Sequence, residues 1–290
     1  GFPQFRDVLE KREMSPYRDW FFVNFGGNNA YGDGLWYEGW EGHFELVKLN
    51  LRNPAVRDYL FGAVRFWVEE FGIDGLRLDV AYLLLALRAF CDGLKPDFQL
   101  IGEVLFGDYN LLVNDRMLHS CTNYENYKSL YSAINSENLW ELSYSLNRQF
   151  GPEQWCIYRG KHLLTFLDNH DVTRIASILK DADCLPLAWV LLLTEPGVPT
   201  IYYGSEWGMT GRKEDGDSAL RPCPETPEWN ALTEQIASLI RMRKSDRIWS
   251  HGGYRNLAQG NRALTFAREL DGRQARVTVD LETHAWKIEG

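Results

Sequence analysis

The sequence predicts an α/β fold on parallel strands, with a small antiparallel β domain at its C-terminal end. Three observations predict it. Helical and strand periods alternate along the chain with short links, the rhythm of a parallel sheet. The apolar strands end repeatedly in carboxylates, and in a parallel barrel chemistry sits at those ends. From about Ile248 the period changes to continuous alternation, and Asp271-Gly272 lies between two alternating runs as a hairpin turn.

Residues 1–50 show little regular period. Their glycines are interleaved with Asn28, Asn29, Tyr31, Trp36, Tyr37 and Trp40, which reads as a long loop excursion. Trp36 and Trp40 are candidate platforms for the apolar face of a sugar, with packing of the loop onto the domain as the equal alternative. Asn28, Asn29 and Asp33 carry oxygens that suit calcium, but such side chains more often shape turns. No cofactor is expected, and calcium is the alternative.

Asn53-Pro54 opens a helix, with Asn53 as N-cap and Pro54 as the first helical residue. Val56, Leu60, Val64, Trp67 and Phe71 share one apolar face, and Gly72 ends the helix. Residues 75–80 then alternate, with Leu76, Leu78 and Val80 opposite Gly75, Arg77 and Asp79. Arg77 and Asp79 share a face, so they pair with each other or face a polar cleft. A helix over 84–94 stops before Pro96, and further strands follow over 99–104, 120–125, 163–168 and 198–204. Helices fill the stretch from 126 to 150, then 185–194 and 230–244, with a polar loop over 205–228. The strand ends carry Asp79, Glu103, Glu125, Asp168, His170 and Asp171. Several carboxylates on one rim are what glycoside chemistry uses. Capping of the following helix is the alternative for each one singly.

The 290 residues suffice for one large domain and a small one. A net charge of −9 argues against a nucleic-acid backbone or an anionic membrane as partner. No apolar run reaches 18 residues, so no transmembrane helix is expected. Five scattered cysteines without a CxxC point to reduced thiols and a cytoplasmic location.

Gly75-Leu76-Arg77-Leu78-Asp79, Gly102-Glu103-Val104 and Phe166-Leu167-Asp168-Asn169-His170-Asp171 occur in that order. They resemble the fourth-, fifth- and seventh-strand motifs of the α-amylase family of glycoside hydrolases, family 13. Leu46-Val47-Lys48-Leu49-Asn50 is similar to the auxiliary motif of its neopullulanase and cyclomaltodextrinase branch. The resemblance covers nearly the whole chain. It implies a partial TIM (β/α)8-type barrel, strands four to eight, followed by the family's β domain. The implied domains are a loop excursion over 1–50, the C-terminal part of the catalytic barrel over 51–247 and the β domain over 248–290.

The same resemblance implies retaining hydrolysis of α-glucosidic bonds in an α-glucan oligosaccharide by double displacement, with some transglycosylation. Maltodextrins, cyclodextrins and pullulan are the implied substrates. Asp79 is then the nucleophile, Glu103 the general acid and later the base, and Asp171 the group that fixes sugar hydroxyls. Arg77 holds Asp79 ionised and His170 bonds a sugar hydroxyl. Trp207 follows the last strand in a segment similar to the family's Tyr-Tyr-Gly-Asp-Glu, with Ser205 where Asp is usual. Trp207 and Tyr82 join the candidate substrate contacts. Arg174 is a candidate to orient Asp171 or to start the next helix.

Two departures shape the expectations. Tyr82 and Leu83 stand where classical α-amylases have a Lys-His pair that helps bind the reducing-side sugar and a structural calcium, and where the neopullulanase-like branch usually has Asn-Glu. The family's third-strand motif and the first three strands are not found, so a fragment of a longer enzyme, or a chain poorly active alone, is expected. A homodimer is implied for the full-length form. The alternative is a non-catalytic amylase-fold relative serving as a binding or transporter-associated subunit.

Overall fold

The structure is a computed structural model that describes residues 2–79 and 84–290, so the candidate contact Tyr82 lies outside the described residues. The chain falls into two compact units, Gly1–Gly75 with Tyr82–Phe98, and Leu76–Ala81 with Gln99–Gly290.

The first unit holds α1 (Pro3–Lys11), α2 (Pro54–Phe71) and α3 (Leu84–Leu94). Helix α1 lies where periodicity predicts no regular element. It is nine residues long and buries Val8 alone, too sparse a stripe to read. The Asn53 side chain accepts from the Ala55 N–H at 3.0 Å and caps α2. Gly72 ends the helix at φ 64°, a conformation that costs glycine nothing. Phe61 on α2 stacks on Phe90 of α3 with centroids 4.6 Å apart.

Between α1 and α2 the chain forms two short antiparallel pairs, Val23–Asn24 with Trp36–Tyr37 and Gly39–Trp40 with His43–Val47. Phe5 packs edge-on against Phe21 and Tyr37, so part of the aromatic content here is core. Asn28 and Asn29 accept from the Gly34 and Tyr31 N–H groups, and Asn29 Nδ2 donates to Asp33 at 3.2 Å. These side chains shape the turn.

Strands β1 (Gly75–Leu78, in the second unit from Leu76), β2 (Gln99–Gly102) and β3 (Ser120–Cys121) form one sheet in that order. Strands β4 (Leu164–Phe166) and β5 (Val198–Thr200) pair in parallel. A parallel bridge from Thr122 to Leu164 continues β3 into β4. The five strands therefore follow the predicted order, each shorter than its apolar run. Helices α4 (Tyr124–Asn135) and α5 (Leu139–Phe150) are separated at Glu137, whose φ of 48° breaks the helix. Helix α6 (Leu185–Thr194) is apolar on all sides and buries every residue from Leu187 to Thr194. Helix α7 (Ala231–Ser245) starts at a capping box of Asn230 and Thr233.

Strands β6 (Gly253–Gln259), β7 (Ala263–Leu270), β8 (Arg273–Asp280) and β9 (Ala285–Glu289) form an antiparallel meander. Asp271 and Gly272, at φ 50° and 76°, make the predicted two-residue turn. Phe266, Val277 and Val279 are fully buried. Arg268 is buried as well and donates to the carbonyls of Thr194, Trp249 and Gly252, which ties β7 to the end of α6. All five cysteines are free. Among the described residues no helix is long and apolar enough to cross a membrane.

Candidate active site

The site is built where β1 and β2 end side by side. The Glu103 N–H donates to Leu78 O at 2.9 Å, which sets Glu103 beside the residue after Leu78, Asp79. The Val104 N–H donates to Thr122 Oγ1 at 2.9 Å, so the β3 end fixes the chain behind Glu103.

Arg77 is the centre of the arrangement. Its Nη1 lies 2.7 Å from Asp79 Oδ1 and its Nη2 lies 3.0 Å from Glu103 Oε1. The two readings of the Arg77–Asp79 face are thus both realised: the pair forms, and it faces a second carboxyl. The carboxyls differ in solvation, with the Asp79 side chain 75% exposed and that of Glu103 only 10%. Burial, then the hydrogen bond shared with Asp79, pushes Glu103 up to about 7 despite Arg77. That hydrogen bond, reinforced by Arg77, holds the Asp79 carboxyl below its usual range. The pair therefore differs in proton affinity: Glu103 holds its proton up to about 7, while Asp79 is ionised from below the usual carboxylate range.

Asp171 follows β4. Its N–H donates to Asn169 Oδ1 at 2.8 Å, and Asn169 Nδ2 donates to Tyr124 Oη at 3.0 Å. His170 Nε2 lies 3.0 Å from Asp171 Oδ2, and Arg221 Nη2 lies 2.9 Å from Asp171 Oδ1. Arg221 also donates to His170 O at 3.1 Å. The Asp171 charge reaches Glu103 and raises its carboxyl further, while His170 adds to the lowering of Asp79. Asp79, Glu103, Asp171, Arg77 and His170 thus form one electrostatic cluster.

Arg221 and Tyr124 were not legible as site residues. Arg221 sits in a loop with no motif around it, and Tyr124 begins a helix where a strand end was expected. Arg174 takes neither of its expected tasks in full. It stands at the N-cap of a four-residue helix, Ile175–Ile178, but makes no side-chain cap bond there. Its guanidinium is buried, donates to Tyr203 O, Ser205 Oγ and Leu220 O, and lies 4.0 Å over the Tyr202 ring.

Ser205 Oγ in turn donates to the buried Asp168 at 2.8 Å, and Asp168 also accepts from the Ile175 N–H at 2.7 Å. Burial pushes Asp168 up to about 6. A hydroxyl can donate to such a carboxylate, whereas an Asp at the same position would need a proton to do so. Glu125 turns away into α4 and pairs with Arg148. Trp207 is half-buried, with its carbonyl accepting from Asn230 Nδ2 at 2.9 Å. Trp36 and Trp40 belong to the first unit, where they are 42% and 41% exposed and Trp40 stacks on His43.

The family profile described as "Alpha amylase, catalytic domain" matches residues 2–138 and 86–250. The chain belongs to the α-amylase family. Among its relatives, neopullulanase 2 of Thermoactinomyces vulgaris is 31% identical over 92% of this chain and 46% of that protein. The maltogenic α-amylase of Bacillus acidopullulyticus is 28% identical over 87% of this chain and 44% of its own. The cyclic α-maltosyl-(1→6)-maltose hydrolase of Arthrobacter globiformis superposes with a TM-score of 0.83 at 25% identity, over 96% of this chain and 64% of that one. These relatives place this α-amylase family chain in the maltogenic amylase, neopullulanase and cyclomaltodextrinase branch. The chain spans about half the length of the curated relatives it matches.

Proposed function

We propose that this protein supplies the catalytic carboxylates of a retaining α-glucan hydrolase. The observation that carries the reading is Arg77 bridging an exposed Asp79 and a buried Glu103. Asp79 attacks the anomeric carbon of a glucosyl unit and forms a glycosyl ester, while Glu103 gives its proton to the leaving oxygen. Glu103, now ionised, takes a proton from water, and the resulting hydroxide displaces Asp79 with retention at the α-anomeric centre. A sugar hydroxyl in place of water gives transfer. Asp171 and His170 bond hydroxyls of the sugar being cleaved, and residues 51–247 make up the barrel part that holds them. Maltodextrins, cyclodextrins and pullulan are the proposed substrates. The test is proton NMR of the product formed from maltotriose. Release of the α-anomer first supports the reading; release of the β-anomer, or no turnover in the longest native form, rejects it.

The pH profile follows from the two carboxyls. Glu103 is protonated below about 7 and Asp79 is ionised from below the usual carboxylate range. Plotted against pH, kcat/KM is expected to be a bell whose alkaline limb falls near 7. Stability carries the same sign. The raised carboxyl of Glu103 favours the folded state fully below its ordinary 4.5, and this contribution is lost as pH rises towards 7. An alkaline limb that persists unchanged in Glu103→Gln would assign it to another group.

Arg221 is expected to position Asp171. Arg221→Ala should lower kcat/KM by about 10- to 100-fold, the scale of one charge-assisted hydrogen bond. Arg221→Lys should recover part of the loss, because a charge without the planar fork still reaches the carboxylate. Equal loss in both variants, together with a lowered melting temperature, would reduce Arg221 to a loop strut.

A further inference from the structure

A second cluster of chemically competent side chains lies away from the carboxylates described above. Asp181 and Cys184 flank the single turn that opens α6, and His284 sits in the turn between β8 and β9. Asp181 Oδ2 lies 2.8 Å from His284 Nε2 and 3.8 Å from Cys184 Sγ, and the three donor atoms all lie within 4.8 Å of one another. We propose that Asp181, Cys184 and His284 form a binding site for a zinc-like divalent ion, one that clamps the start of α6 to the C-terminal sheet.

The local sequence builds the site from both sides. Asp181 Oδ1 is occupied by the Asp183 N–H at 3.0 Å, which leaves Oδ2 turned towards the other two donors. The Cys184 N–H donates to Asp181 O at 3.2 Å, so the turn brings the carboxylate and the thiol together. On the other side Asp280 Oδ1 accepts from the Glu282 and Thr283 N–H groups and shapes the turn that presents His284. Cys184 is buried and Asp181 exposed, so the ion enters past the carboxylate.

The donor set selects the ion. A thiolate and an imidazole suit zinc, whereas calcium and magnesium require oxygen donors throughout. Zinc bonds of about 2.0–2.3 Å in a tetrahedron put neighbouring donors about 3.3–3.7 Å apart, a spacing that the 2.8 Å Asp181–His284 and 3.8 Å Asp181–Cys184 separations straddle. Three protein ligands leave the fourth position to water. On binding, the Cys184 thiol releases its proton to solvent and the sulfur lone pair goes to the metal. In the ion-free protein the same groups form an Asp–His pair beside a thiol, which is what the experiment must distinguish.

The experiment uses the full 290-residue chain, stripped with a chelator and titrated with zinc by calorimetry. One zinc per chain is expected, with no heat from magnesium or calcium. His284→Ala, in an exposed turn, and the near-isosteric Cys184→Ser should each weaken binding at least ~10-fold. Zinc should raise the melting temperature of the wild type and leave that of His284→Ala unmoved. Cobalt supplies an independent signature: its thiolate charge-transfer band should appear in the wild type and vanish in Cys184→Ser. Absence of zinc binding to the wild type, or equal binding by both variants, would overturn the proposal. A cobalt band retained in Cys184→Ser would move the metal to another cysteine and overturn it equally.

Discussion

Asp79→Asn is expected to lower kcat/KM on maltotriose or β-cyclodextrin by about 10⁴-fold, the scale seen when a covalent nucleophile is removed. Asn has the shape of Asp and can still accept from Arg77, so the fold and the Arg77 position should survive. What it lacks is the anionic carboxylate oxygen that forms the glycosyl ester. The variant should therefore bind the sugar with nearly unchanged affinity and not turn it over. A melting temperature equal to wild type separates this result from misfolding. Equal rates of reducing-sugar release in the two proteins would remove Asp79 from the reaction and with it the hydrolase reading of the cluster.

Glu103→Gln should cost at least ~100-fold, the usual contribution of a general acid–base group. The loss should depend on the leaving group. An aryl α-glucoside whose phenol departs without a proton needs little acid assistance, so the first step should be restored and the glycosyl–enzyme should accumulate. A burst of phenol followed by slow turnover is the expected trace. Natural glucans, with poor leaving groups, should show the full loss. The physical basis is the contrast between the two carboxyls. Glu103 is nearly enclosed and Asp79 nearly open, so the proton they compete for rests on Glu103. A fully active Glu103→Gln would mean that another group delivers the proton.

Much of this was readable in the chain. The alternation of residues 75–80 placed Arg77 and Asp79 on one face, and the structure keeps that pair. The N-cap at Asn53, the stop at Gly72 and the turn at Asp271-Gly272 are local signals, decided within a few residues by backbone sterics and one hydrogen bond each. The apolar runs extend beyond the strands that form. Apolar character persists past the point where the backbone leaves the sheet, as at Leu167, buried just beyond the Leu164–Phe166 strand. Helix α1 escaped because one buried residue makes no period.

The sequence by itself determined the order of the elements and the family motifs that make Asp79, Glu103 and Asp171 the candidate carboxylates, because each motif is written in contiguous residues. The tertiary structure supplied the physical cause of the proton's preference for Glu103, which the resemblance implied. That depends on burial and on neighbours far along the chain, from Arg77 to Asp171. It alone brought Arg221 to Asp171, 50 residues away, and set Arg174 to hold Tyr203, Ser205 and Leu220 instead. It also joined Asp181 and Cys184 to His284 across about a hundred residues. No local pattern records such meetings, because charge and coordination act through space and the chain path sets the distances.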